Sequence, residues 1–171
     1  LENTQEKLII QFFNFTQKQY HHKKELLKET LGLISASKDG LSEEELIDLF
    51  SDNKEFLSLF QNYRYPKLNR LPNAIWSRFY YYIEPFFTEK LIDNEMLIKP
   101  YHRIIEEVIK DTYYKNHSIE FHKKVSAYFY KQQERNETWD KRYYSLRMLS
   151  ELPYQLYNSK NHVQLKEILF D

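Results

Sequence analysis

Cysteine is absent from this chain. Disulfides and thiolate metal sites are therefore excluded. Glycine is almost absent, with only Gly32 and Gly40 in 171 residues. Helices tolerate that scarcity, whereas sandwiches and barrels need more turns. Net charge is lacking too, because 25 Lys and Arg balance 25 Asp and Glu. A strong electrostatic hold on nucleic acid or on an anionic membrane is not indicated. No apolar run is long enough to span a bilayer, and no basic-then-apolar leader opens the chain. The first residue is Leu1 rather than Met, which reads as a piece of a longer intracellular protein, expected in the cytoplasm.

Catalytic signatures are missing as well. There is no Gly-rich phosphate loop followed by Lys-Ser/Thr, no G-x-S-x-G elbow and no H-E-x-x-H. His117 and His122 are five apart, a poor fit to one helix face, and no carboxylate completes a metal site there. His21-His22 reads as a surface pair. Independent enzyme activity is not expected.

What the chain does hold is apolar and aromatic. Hydrophobic residues reach 42% and aromatics 17%, with fifteen Tyr and twelve Phe, enough for an aromatic-rich core. Leu8, Ile9, Phe12, Phe13 and Phe15 predict a helix over 6–20, and Leu26, Leu27, Leu31 and Ile34 predict another that stops at Gly40. "GLSEEELIDLF" (40–50) is the clearest local signal. Ser42 with Glu45 three residues on makes a capping box, and Leu41 with Leu46 makes a hydrophobic staple. This stretch sets a sharp turn between two helices.

A short helix is expected at 53–61, then a loop. "LPNAIWSRFYYYI" (71–83) reads as a helix with Ile75, Trp76, Phe79 and Ile83 inward. Two β-leaning runs at 86–98 flank Asp93-Asn94, a plausible hairpin turn, with Leu91 expected in the core. Pro100 suits the opening of the next helix, whose apolar side carries Ile104, Ile105, Val108 and Ile109. Beyond Asn116 only helices are expected. Phe121, Val125, Tyr128 and Phe129 mark one. Trp139, Tyr143, Leu146 and Leu149 mark a second, broken or kinked by Pro153. Leu165, Ile168 and Leu169 mark a third. The fold class expected is therefore mainly α: a winged-helix domain with a short β-hairpin wing, followed by a helical, superhelix-like extension. The divisions are a helical lead-in at 1–20, the winged helix at 21–114 and the extension at 115–171.

The order of these motifs resembles the winged-helix segment of STAND-class NTPases, most closely the NACHT type of the telomerase-associated and nephrocystin-like proteins. "LKETLGLISASKDGLSEEELIDLFS" is similar to their helix ending in a Gly-Leu-Ser-Glu-x-Glu-Leu turn. "IWSRFYYYIEPFFTEKLIDNEMLIKPYHRIIEEVI" is similar to their next block, a helix and hairpin leading to a histidine that opens a helix. "FHKKVSAYFYKQ" and "SLRMLSELPYQLYNSKNHVQLKEILFD" look like the helical run beyond, with Tyr154-Gln155-Leu156 where the family often has Tyr-His-Leu. The likeness covers most of residues 21–171.

The resemblance implies a regulatory part and not the motor. It places the phosphate-binding loop, and ATP or ADP with Mg, in a preceding nucleotide-binding domain of the parent protein; the fragment itself would carry no cofactor. The winged helix would pack on that domain and gate its ADP-bound closed state. The extension would lead to downstream repeats that sense a signal, with homo-oligomerisation on activation. The histidine of the family's Met-His-Asp-like motif, which touches nucleotide phosphate, falls on His102, here flanked by Tyr101 and Arg103. A first helical turn, with its exposed backbone N–H groups, suits an anion.

Two other readings stand beside this one. A winged helix can bind nucleic acid, yet the candidate recognition helix offers Arg78 and little else basic. The turn Ile92-Asp93-Asn94-Glu95 is acidic, and Tyr80, Tyr81 and Tyr82 serve equally as stacking or core residues. A helical scaffold for another protein is the third reading.

Overall fold

The computed structural model describes residues 4–19, 24–62, 67–136 and 145–170. His21-His22, Trp139 and Tyr143 lie outside the described residues. Helix α1 spans Thr4–Gln19, α2 Lys24–Ala36, α3 Glu43–Asp52, α4 Lys54–Ser58 and α5 Asn73–Ile83. Strands β1 (Phe87–Ile92) and β2 (Glu95–Pro100) follow, then α6 (Arg103–Ile109), α7 (Ser118–Asn136), α8 (Leu146–Asn158) and α9 (His162–Phe170). The chain is mainly helical, with one small antiparallel sheet among the described residues.

The turn at 37–42 forms as its residue types require. The Ser42 hydroxyl accepts from the Glu45 N–H, and the Glu45 carboxylate accepts from the Ser42 N–H at 2.8 Å, so both halves of the capping box are present. Leu41 and Leu46 are fully buried. Gly40 adopts φ +104°, which an L side chain rarely takes. Leu41 then forms an isolated antiparallel bridge with Ile98: the Ile98 N–H donates to the Leu41 carbonyl at 2.9 Å, and the Leu41 N–H donates back at 3.3 Å. The sheet therefore gains a stub of third strand, lying between α2 and α3 in sequence.

The hairpin pairs Phe87 with Pro100 and Ile92 with Glu95, and Asp93 and Asn94 turn with φ +53° and +65°. Pro100 closes β2 and does not open the next helix; its missing N–H is tolerated at the strand end, beyond the single bridge that Ile98 makes to Leu41. Leu91 corrects an expectation. It pairs with Met96, and both are exposed, Leu91 at 69%. Its alternation is that of Phe87, but the strand outruns the core.

Trp76, Phe79 and Ile105 are buried, as the spacing predicts. Trp76 stacks on Tyr80 at 5.3 Å between ring centroids and contacts Phe50, which stacks on Phe56 at 5.2 Å. Phe13 brings α1 into the same core, against Phe86 and Tyr113. Helix α7 lies across α2, where the Phe121 ring sits over Gly32; a methyl group there would come within 2.1 Å of the ring. Between α6 and α7 a π-turn (Lys110–Tyr114) and a 3₁₀ turn (Lys115–His117) keep the path helical. Helix α8 runs on through Pro153 and ends in a left-handed Lys160, with N–H groups of Lys160 and Asn161 returning to carbonyls of Tyr157 and Leu156. Leu146 and Leu149, which mark α8 by their spacing, face outward. Leu165 and Ile168 of α9 lie against the core while Leu169 is exposed.

Candidate functional site

His102 is the N-cap of α6. Its Nδ1 accepts the Ile104 N–H at 3.3 Å, which fills one of the helix's open donors. The residue before it is held by the hairpin base, where the Tyr101 N–H donates to the Phe86 carbonyl at 2.8 Å. The capping geometry has a chemical consequence. A ring nitrogen that accepts carries no proton, so the neutral imidazole holds its proton on Nε2. The exposed side chain thus presents an Nε2–H donor. Arg103 beside it is bound to Glu107 at 2.7 Å, an exposed i,i+4 pair.

A second constellation lies deep in the molecule, at the seam between the α2–α3 connector and helices α7 and α8. It centres on Arg147, 3% exposed. Its Nε donates to Glu45 Oε1 at 2.9 Å, its Nη1 to Glu151 Oε2 at 2.7 Å, and its Nη2 to the Gly40 carbonyl at 2.7 Å. Its guanidinium also lies 5.3 Å from the Phe129 ring centroid. Glu151 Oε1 accepts the Lys38 N–H at 2.9 Å and the Gln155 side-chain amide at 2.6 Å. That amide also donates to the Ala36 carbonyl at 2.9 Å.

The chain of bonds continues to His122. With the Gln155 amide nitrogen donating twice, its Oε1 is the acceptor, so His122 Nδ1 donates to it at 2.6 Å. His122 Nε2 then accepts from the Tyr114 hydroxyl at 2.8 Å, and the π-turn is what carries Tyr114 to that position. Every donor atom in the run from Tyr114 to Glu45 has at least one acceptor, the condition under which a buried polar network is tolerated.

One guanidinium faces two carboxylates here. Burial pushes the Glu45 carboxyl above the usual range, against Arg147 and the Ser42 N–H, which lower it. Burial works to lower the Arg147 value, but the Glu45 and Glu151 carboxylates outweigh it and keep the cation charged. Burial depresses His122, while its bond to Gln155 and the Glu151 charge act the other way, so the ring is neutral near pH 7.

Sequence reasoning placed His102 at a helix start and read Glu45 as a cap. It passed over Arg147 and Glu151, noted Gln155 only within the family likeness, and weighed His122 only as a metal ligand. A signal did exist. Residues 147, 148, 151, 152, 155 and 156 form one helical stripe, and three of them are polar at i, i+4 and i+8. Among the described residues no hydrogen bond joins this network to His102, and no three His, Asp or Glu side chains gather as metal ligands would. A cleft of about 500 Å³ lies between α2, α4 and α7, floored by Leu33, Phe50 and Phe56. Two of its three lysines are engaged, Lys124 with Glu29 and Lys131 with Asp52, each at 2.9 Å. No helix among the described residues is long and apolar enough to cross a membrane.

No family model, no curated protein and no solved structure matches this chain.

Proposed function

We propose that the chain is a regulatory and interaction module of a STAND-class, NACHT-type signalling NTPase, made of a winged helix and a helical extension. The observation that carries this reading is the Leu41–Ile98 bridge. With it the order becomes helix α2, strand stub, helix α3, helix α5, then a two-stranded hairpin, which is the order of a winged helix with α4 inserted. The lock between α8 and the α2–α3 connector supports an extension that moves with the winged helix as a rigid arm. The capping role of His102 supports a phosphate contact through Nε2–H. ATP or ADP with Mg would be held by the upstream nucleotide-binding domain, and His102 would reach the bound phosphate from the winged helix. Downstream repeats would join at α8 and α9.

Nucleic-acid binding is disfavoured by one contact. The hairpin turn is acidic, and Asp93 at its tip accepts a hydrogen bond from Ser150 of α8, so the wing is held by the chain itself. A gel-shift titration separates the two readings: tight, salt-sensitive DNA binding by this chain would overturn the first.

The direct test is the ADP off-rate of the parent protein. An N–H donor to an ionised phosphate makes a charge-assisted hydrogen bond, worth about 1.5–3 kcal/mol. Loss of the donor therefore speeds ADP release by roughly one to two orders of magnitude. His102→Ala removes donor and cap together. His102→Asn keeps a good N-cap and removes the imidazole. Faster release and more ligand-independent oligomer in both variants is the expected result. Faster release in His102→Ala alone assigns the residue to capping, and a parent sequence without an upstream phosphate-binding loop removes the NTPase reading.

A further inference from the structure

Three side chains of α8, each four residues apart, take three backbone groups of the α2–α3 connector, each two residues apart. Arg147 takes the Gly40 carbonyl, Glu151 the Lys38 N–H and Gln155 the Ala36 carbonyl. The ladder is antiparallel. The Ala36 carbonyl is one of the acceptors that the end of α2 leaves open. Glu45 links the ladder to α3. Its Oε2 caps the helix through the Ser42 N–H while its Oε1 accepts from Arg147. The Leu41–Ile98 bridge, one residue beyond Gly40, carries the same connector into the hairpin.

We propose that this ladder is a mechanical clasp: it makes α8, the α2–α3 connector, the N-terminus of α3 and the Leu41–Ile98 bridge open and close as one unit. The inference stands on these contacts and is independent of the NTPase reading. Its physical basis is what separation leaves behind. Moving α8 away strips three backbone groups of their partners, the Gly40 and Ala36 carbonyls in buried bonds and the Lys38 N–H in a half-buried one, and takes its cation from Glu45, so the connector cannot stay as it is. Apolar packing alone would behave differently, since a helix sliding off an apolar surface leaves its neighbour's hydrogen bonds intact. A displacement imposed on α8 is thereby delivered to the hairpin and the α3 cap.

Native-state hydrogen exchange on the intact chain tests this directly. In the wild type, the amides of Glu45, Leu41 and Ile98 and those of the α8 interior should share one opening free energy and one denaturant slope. In Arg147→Met, which keeps the stem's volume and removes the charge, protection of α8 should fall at least about tenfold. The amides of Leu41, Glu45 and Ile98 should fall with it, while those of α5 hold. The milder Glu151→Gln should show the same joint loss on a smaller scale, and it decides the matter if Arg147→Met does not fold. Loss confined to α8 in either variant, with Leu41, Glu45 and Ile98 unchanged, overturns the clasp. So does a wild type in which α8 opens well before the bridge.

Discussion

Both glycines sit where a methyl group has no room. At Gly40 a Cβ would lie 2.4 Å from the Ile98 carbonyl oxygen, on a backbone with φ +104°. Gly40→Ala should therefore lower stability by about 2 kcal/mol or more, from backbone strain and a clash with main chain that cannot step aside. Gly32 is a different case. Its φ is helical, so alanine there gains about 1 kcal/mol of helix propensity. Against that, the Cβ would meet the Phe121 ring at 2.1 Å, and overpacking costs about 1–3 kcal/mol. Gly32→Ala is expected to be destabilising on balance, and Phe121→Leu in the same chain should recover part of the loss. Urea midpoints of the two single variants and the double variant measure this. Additive losses would mean that the ring does not press on Gly32.

At the scale of the element, legibility depends on whether a residue's local chemistry agrees with its tertiary place. The α3 start was legible because Ser42, Glu45, Leu41 and Leu46 carry their instruction within a few residues. Ser42→Ala should cost about 1 kcal/mol and expose α3 to fraying, read by exchange at the Glu45 amide. Helices α5 and α6 were legible because Trp76, Phe79 and Ile105 are apolar and buried alike. Helix α8 was not. Its charged residues Arg147 and Glu151 face inward and its Leu146, Leu149 and Tyr157 face out, so apolar spacing reads the wrong side. No local rule says that the three polar groups will find connector backbone more than a hundred residues earlier. Leu91 failed for a related reason: alternation reports which face a residue takes, not how far the core extends along the strand. Of the candidate site, His102 at a helix start was legible from the apolar run behind it. Its use of Nδ1 as the cap was not.

The behaviour of the whole molecule in acid turns on two buried groups that respond in opposite senses. His122 is depressed below its ordinary value of about 6.5, chiefly by burial, with Gln155 and Glu151 opposing. Its neutral form favours the fold; that contribution is complete above the ordinary value and is lost as pH falls through the depressed one. Glu45 is raised, chiefly by burial, so its ionised form costs stability at higher pH, and the cost is relieved as pH falls through the raised value. The groups facing them are Arg147, Glu151 and Tyr154 on α8, Tyr114 on the π-turn and Tyr128 on α7. Removing the histidine should leave the carboxylate's trend exposed. His122→Gln cannot titrate, yet its amide can accept from Tyr114 and donate to Gln155. Urea unfolding followed at about pH 7.5, 6.5 and 5.5 should show wild-type stability declining with acid. The variant should start lower and decline less, or rise, so that the gap between the two narrows as pH falls. A gap that stays constant would mean that His122 gains its proton as readily in the folded chain as in the unfolded one, and that the network is not the closed, dry assembly its hydrogen bonds describe.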